Sequence, residues 1–183
     1  MLQSNITQYY VVHDKDRIYQ GDMLKNVSLR FYENQNVVEI SCPYIVILSQ
    51  DCDLLQCKAN VCDSGENNQY LPNVMVFPAF VDENLRTGDH LKEIYGIKQR
   101  QINSEQFKNI KQNNNSRYHY LRGNEDLEIA NLIIDFKLYY TIPYNDLKQK
   151  YKESYVATLN ELFRENLSQR FSNYLSRIGL PEI

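Results

Sequence analysis

The sequence predicts an α+β fold: a small, strongly bent antiparallel sheet or SH3-like barrel, flanked by helices and finished by a C-terminal amphipathic helix. Three observations predict it. Short apolar runs bounded by turn residues recur as far as Pro143. One of them, Met23 to Phe31, alternates with the period of a half-buried strand. Only the end of the chain carries a clear stripe at helical spacing, through Phe163, Leu167, Phe171, Tyr174 or Leu175, and Ile178. A chain of 183 residues, 43% hydrophobic and 23% charged, fits one globular domain. Residues 1–158 form its barrel-like β core with an inserted loop and helices, and 159–183 form the helix packed on it.

Gln8 to His13 reads as a short strand, and Asp14, Lys15 and Asp16 as a polar turn. In Tyr19-Gln20-Gly21-Asp22, Gly21 can take positive φ and Asp22 can bond neighbouring amides, so a strand opens there from a tight turn. Met23, Val27, Leu29 and Phe31 then face one side, with Lys25, Ser28 and Arg30 on the other. Val37 to Cys42 is the next strand. Pro43 leads into Tyr44 to Leu48, whose unbroken apolar side chains mark a buried strand. Leu54 to Pro72 reads as a long loop with a turn-rich tip at Asp63 to Gln69. Asn73 to Val81 is a strand that Pro78 bends or places at an edge. Leu85 to Ile97 reads as a short helix. Asn103 to Gln112 is a helix capped by Asn103 or Ser104, with Phe107 and Ile110 inward. Ser116 to Leu121 is a short strand and Leu127 to Ile142 the longest one. Asn145 can cap a single helical turn after Pro143. The last helix runs from Asn160 to Ile178, with Gly179 as its C-terminal cap and Pro181 forbidding continuation.

The best site candidate is the mouth of the Tyr44 to Leu48 strand, where Ser49, Gln50, Asp51, Cys52 and Asp53 bring a hydroxyl, an amide, two carboxylates and a thiol. If the strand continues, Asp51 and Asp53 point one way and Cys52 the other. Paired carboxylates can hold a divalent cation or act as acid and base. The alternative is a carboxylate-capped turn in which Asp51 bonds loop amides. The second candidate is Arg117-Tyr118-His119-Tyr120. On a strand, Arg117 and His119 share a side, an arrangement suited to a phosphodiester, with Arg117 as clamp and His119 as acid or base. Tyr118 and Tyr120 offer aromatic faces on the other side. Equally, Arg117 can pair with Asp51 or Asp135 and leave His119 structural. A nucleophilic Cys52 with His119 as base is a third arrangement, disfavoured because two adjacent carboxylates raise a thiol's pKa. His13 and His90 have no such company, and Gly88-Asp89 is only a turn signal. Cys42, Cys52, Cys57 and Cys62 lack the short paired spacing of a zinc site, so ordinary thiols are expected, with no metal and no cofactor.

The net charge of −3 and the absence of a long Lys/Arg run exclude an extended nucleic-acid footprint, so any contact with RNA must be local. No apolar stretch approaches the roughly 20 residues of a membrane span. The N-terminus lacks a basic leader followed by an apolar segment, which leads us to expect a cytoplasmic protein with reduced thiols. Fifteen Tyr against no Trp points to rings at the edge of a thin core rather than a surface for stacking bases. The stripe of the last helix suits packing on the barrel. It also suits docking to a partner protein or second copy through Phe163, Leu167, Phe171 and Ile178.

In its landmarks the chain resembles the MazF/PemK toxins. Gly21-Asp22 opens the first strand, Pro43 to Ser49 follows, and Asn73 to Phe77 comes next. Leu132 to Ile142 and the Asn145 to Lys150 turn are similar in order to that family's closing strand and helix. The similarity spans roughly residues 18 to 150, with insertions. It implies an SH3-like barrel and metal-independent RNA cleavage. Ser41-Cys42 stands where the family carries an Arg before the Pro, and Asp51-Cys52-Asp53 replaces its polar residue after the strand. The resemblance suggests a bacterial toxin-like or phage-defence protein acting on RNA, with Asp51 or Asp53 orienting Arg117 and His119. The alternative is a non-catalytic interaction subunit of a defence or toxin–antitoxin complex, and the third reading is a cysteine-dependent hydrolase.

Overall fold

A computed structural model describes residues 8–33, 35–59 and 70–176. In chain order its elements are β1 (Tyr10–Val11), β2 (Asp22–Glu33), β3 (Asn36–Ile47), α1 (Asp51–Ala59), β4 (Asn73–Val81), α2 (Asp82–Thr87), α3 (Lys92–Tyr95), α4 (Ser104–Lys111), β5 (Tyr118–Leu121), β6 (Leu132–Asp135), β7 (Tyr140–Pro143), α5 (Tyr144–Ser154), β8 (Tyr155–Leu159) and α6 (Glu161–Leu175). The strands form one antiparallel sheet in the order β1-β8-β2-β3-β4-β6-β5, with β7 beside the first half of β4. The sheet curls strongly and stays open, giving a half-barrel rather than a closed one.

Both faces of the sheet are covered, which is why Tyr44 to Leu48 is apolar without interruption. Tyr44, Val46 and Leu48 pack beneath α6 with Phe77, Phe136, Leu167 and Phe171. Ile45 and Ile47 point the other way, against Leu54 and Cys57 of α1 and Tyr144, Leu147 and Tyr151 of α5. A third cluster, around Phe80, Leu91, Phe107 and Ile133, seats α4 and the turns before it. Pro78 is buried mid-strand without breaking the sheet. β4 pairs with β7 up to Val76 and with β6 from Ala79, so the missing N–H falls where β4 changes partner.

Several elements differ from expectation. β3 runs unbroken through Pro43, where the β4 ladder has not yet begun. Met23 does not share a side with Val27 and Leu29. It lies in the α6-side core and they lie in the other. The change of side falls near Asn26, whose φ of 56° reverses the local pleat. The expected loop after Asp53 begins as α1, because Leu54 and Cys57 recur on one helical face and Asp51 and Asp53 suit a helix N-terminus. The long Leu127 to Ile142 strand is broken, since the Asp135 side chain accepts the Lys137 amide (3.1 Å) and turns the chain between β6 and β7. The single turn after Pro143 is a helix of 11 residues, with Tyr144, Leu147 and Tyr151 inward. The strand β8 was not foreseen, because it follows α5 with no turn residue between them. Asn103 caps α4 as expected, accepting the Gln106 amide at 2.8 Å. Asn160 precedes α6, but its side chain donates to the Gln8 carbonyl (3.1 Å) instead of capping the helix. Ile178, Gly179, Pro181, Cys62 and the Asp63 to Gln69 tip lie outside the described residues.

Asp22 is 0% exposed and joins four parts of the chain. Its Oδ2 accepts the Tyr19 amide (2.7 Å) and the Tyr151 hydroxyl (2.6 Å). Its Oδ1 accepts the Thr158 hydroxyl (2.6 Å) and His13 Nε2 (3.1 Å). His13 Nδ1 accepts the Lys15 amide at 3.1 Å, which assigns the ring proton to Nε2. Burial pushes the Asp22 carboxyl up, against the pull of these four donors. His13 therefore has close company after all. Asp22→Ala leaves the Tyr151 and Thr158 hydroxyls without their acceptor, at about 1–3 kcal/mol each. We expect an urea-unfolding loss of roughly 3 kcal/mol or more for Asp22→Ala and a smaller one for Tyr151→Phe, against little change for Asp53→Ala.

Candidate functional site

The strand hands over to α1 through fixed contacts. Leu48 N–H donates to the Met75 carbonyl (2.9 Å), and the Ser49 hydroxyl accepts the Met75 amide (2.8 Å). These two bonds extend the β3–β4 ladder by one side chain before the chain turns into the helix. Gln20 then ties the corner to α6, its Nε2 donating to the Leu48 carbonyl and to Ser168 Oγ, both at 3.0 Å.

Asp51 is the latch of the corner. Arg17 meets it in a forked pair, NH1 to Oδ1 at 3.2 Å and NH2 to Oδ2 at 2.7 Å, and the Gln20 amide donates to Oδ1 at 3.2 Å. The Arg17 guanidinium also lies 3.5 Å from the centre of the Tyr19 ring. Burial raises the Asp51 carboxyl, but the bonds from Arg17 and Gln20 and the charges of Arg17 and Arg164 outweigh it and hold the pKa below the usual value. Asp51 is thus the carboxylate-capped turn weighed as an alternative in the sequence. Because the strand ends at Ile47, Asp51 and Asp53 lie in the first turn of α1 and do not form the pair expected of a continued strand.

Between this corner and α6 runs an open groove of about 740 Å³. Its apolar lining is Leu48, Met75, Phe171 and the exposed Leu175, and its polar lining includes Ser49, Gln50, Cys52, Ser168 and Ser172. The charged groups that line it are Asp51, Asp53 and Glu165, with no Lys, Arg or His among the lining residues. Cys52 is exposed, its Sγ 3.5 Å from Gln50 Oε1 and 3.6 Å from Asp53 Oδ1. Its near neighbours are thus an amide oxygen and a carboxylate, with no imidazole or cation to stabilise a thiolate.

The second candidate set lies elsewhere. Arg117 is joined by Nε (2.8 Å) and NH2 to Asp135 and stacks on Tyr118, so its cation is committed. His119 is only 2% exposed and lines a separate cavity with Tyr9, Leu162, Phe163 and Asn166. That cavity and the groove lie on opposite flanks of α6, as the spacing of their lining residues on the helix requires. Burial, and then the Arg170 charge, push His119 down to about 3, so it stays neutral and cannot deliver a proton near neutral pH. Tyr118 is buried and Tyr120 half-buried, Tyr118 in the third cluster and Tyr120 packed against it. Leu167 and Phe171 are core residues beneath α6, so they are not free to dock a partner, and Phe163 is half-buried. The exposed apolar residues of this helix are Leu162 and Leu175.

The sequence reading passed over Arg17, Gln20 and Glu165. Gln20 adjoins the Gly21 turn, which was the available signal; nothing near Arg17 or Glu165 announces their partners. No protein-family model matches the chain, and no curated protein matches its sequence. Among the described residues no helix is long and apolar enough to cross a membrane.

The Arg17–Asp51 latch has a defined pH signature. A carboxylate whose pKa is depressed on folding stabilises the protein fully above its unfolded value, near 3.8, and loses that contribution as pH falls through the depressed value. Asp51→Asn is expected to lower stability at pH 7 by about 1–3 kcal/mol. In urea titrations the gap from wild type should then close as the pH drops below 3.8.

Proposed function

We propose that this protein is a non-catalytic interaction subunit whose groove between α1 and α6 holds a basic, partly apolar segment of a partner protein. The observation that carries this reading is the character of the groove: apolar residues and three carboxylates line it, and no cation does. Asp51 is neutralised by Arg17, whereas Asp53 and Glu165 make no ion pair among the described residues. A lysine- or arginine-bearing segment complements these carboxylates, and its apolar side chains gain from Met75 and Leu175. The likeness to MazF/PemK toxins suggests a toxin–antitoxin or defence complex as the setting. The RNA-cleaving reading asks for a free cation, a titrating imidazole and a carboxylate in one place. Arg117 is spent on Asp135, and His119 is neutral in another cavity.

The test is fluorescence anisotropy with a labelled peptide of alternating Lys and Leu, compared with the same peptide carrying Glu for Lys. The Lys peptide should bind and weaken with added salt. An Asp53→Lys, Glu165→Lys double variant should lose about tenfold or more in affinity. Equal binding of both peptides, or an unchanged affinity in the double variant, sinks the proposal. Cleavage of RNA by the purified protein, abolished by His119→Ala, would restore the toxin-like ribonuclease reading.

A further inference from the structure

Away from the groove, the segment from Gly88 to Ile102 folds back on α2. The Asp89 and His90 amides donate to the Asn84 carbonyl, Gln99 N–H donates to the Gly88 carbonyl (2.9 Å), and Ile102 N–H donates to the Arg86 carbonyl (2.9 Å). Gly88 makes this possible: its φ is 81°, and a Cβ there would lie 2.2 Å from the Gln99 carbonyl oxygen. The fold-back holds His90 edge-on to Phe80, with ring centres 5.0 Å apart. His90 is 6% exposed, and both of its ring nitrogens are buried without a well-formed hydrogen bond, the Asn84 backbone being the hydrogen-bonding group that bears on the ring. Among the described residues no other side chain has two such atoms. A buried polar atom left unpaired costs about 1–3 kcal/mol, so a doubly orphaned imidazole needs an explanation.

The ring lines a cavity of about 400 Å³, together with Ser41, Asn84, Lys92 and Lys98. Lys98 makes an exposed pair with Asp89 at 3.3 Å, a bond of the kind that contributes little and exchanges readily. Lys92 forms no ion pair among the described residues. The lining residues thus carry two ammonium groups, a hydroxyl, an amide and an imidazole whose nitrogens face away from the open space. That donor set suits an oxyanion and not a metal ion, since Asp89 is the cavity's single carboxylate.

We propose that this cavity binds a doubly charged oxyanion of the phosphate monoester type, held by His90, Lys92 and Lys98. The inference is independent of the groove and of its proposed partner. The imidazole donates its N–H to a phosphate oxygen, and the two ammonium groups balance the charge. Seating the anion requires the ring to turn about its Cβ–Cγ bond, a soft torsion in histidine. Burial holds His90 below its ordinary pKa, with Arg117 also lowering it and Asp135, the Asn84 backbone and Asp89 raising it, so the free site presents a neutral ring.

The experiment is an NMR titration of the full chain, labelled at the histidine ring carbons, with inorganic phosphate and, in a parallel arm, with AMP. His90→Phe assigns the signal. A saturable shift of the His90 ring signal is expected with phosphate and not with chloride at matched ionic strength. Lys92→Gln with Lys98→Gln, which removes two charged contacts, should weaken it by well over tenfold. Both lysines are exposed, so this variant keeps the fold and the test stands even if His90→Phe unfolds. Tighter binding of AMP than of phosphate would point to a nucleotide as the source of the phosphate. No shift with either probe, an equal shift with chloride, or unchanged affinity in the double lysine variant overturns the proposal.

Discussion

Asp22 and the glycine before it hold the ends of the chain together. Asp22 sits at the first residue of β2 and takes hydrogen bonds from the loop before it, from α5 and from β8. Gly21 carries the geometry that lets this happen. At φ 86° its amide donates to the Ile47 carbonyl and its carbonyl accepts the Leu159 amide, so the ends of β3 and β8 meet on one residue. A Cβ at Gly21 would lie 3.0 Å from the Arg164 Cβ, so α6 rests directly on this turn. The open half-barrel lacks the closing strand pair that would fix its ends. A buried carboxylate with four donors ties the β1–β8–β2 end of the sheet to α5 and to the loop before β2.

The groove inherits its shape from this arrangement. One wall is the start of α1, held by Arg17 and Gln20 from the loop that ends in Gly21. The other wall is α6, which follows β8 after a single residue, Asn160. Gln20 spans both walls through Leu48 and Ser168. A change at Asp22 or Gly21 is therefore felt at the groove without touching its lining. The acidity of the groove follows from the same economy of cations: the nearby Arg17 is spent on Asp51, and Arg164 meets Glu161 at 3.6 Å.

The fold class and many of the strands were legible because both signals are local. Gly21-Asp22 announces a tight turn, Tyr44 to Leu48 announces burial on two faces, and Asn103 announces a helix cap. The Asn73 to Val81 strand was read to its ends. What failed was information carried by distant partners. β8 has no punctuation in sequence and exists because β1 and β2 lie on either side of it. The break after Asp135 depends on which backbone amide its carboxylate finds. At the candidate site, Ser49 to Asp53 was correctly placed at a strand mouth. The proposed association with Arg117 and His119 required a tertiary contact that residue types alone do not encode, and α6 separates the two sets.

The three histidines show how far partners, rather than sequence neighbours, decide what a residue can do. His119 was singled out for its Arg and Tyr neighbours, yet the charge that bears on it is that of Arg170, whose guanidinium is clamped on the carbonyls of Asn113, Asn115 and Tyr118. His13 was set aside, yet both its nitrogens are used, one on Asp22 and one on the Lys15 amide, so it is a strut of the fold. His90 was also set aside, and its two buried nitrogens lack a well-formed hydrogen bond in a ring that lines a cavity with two lysines. An imidazole that is fully bonded stabilises a fold, and one that is merely desolvated stays neutral. One buried with both polar atoms poorly answered is the one for which the proposed anion would supply a partner.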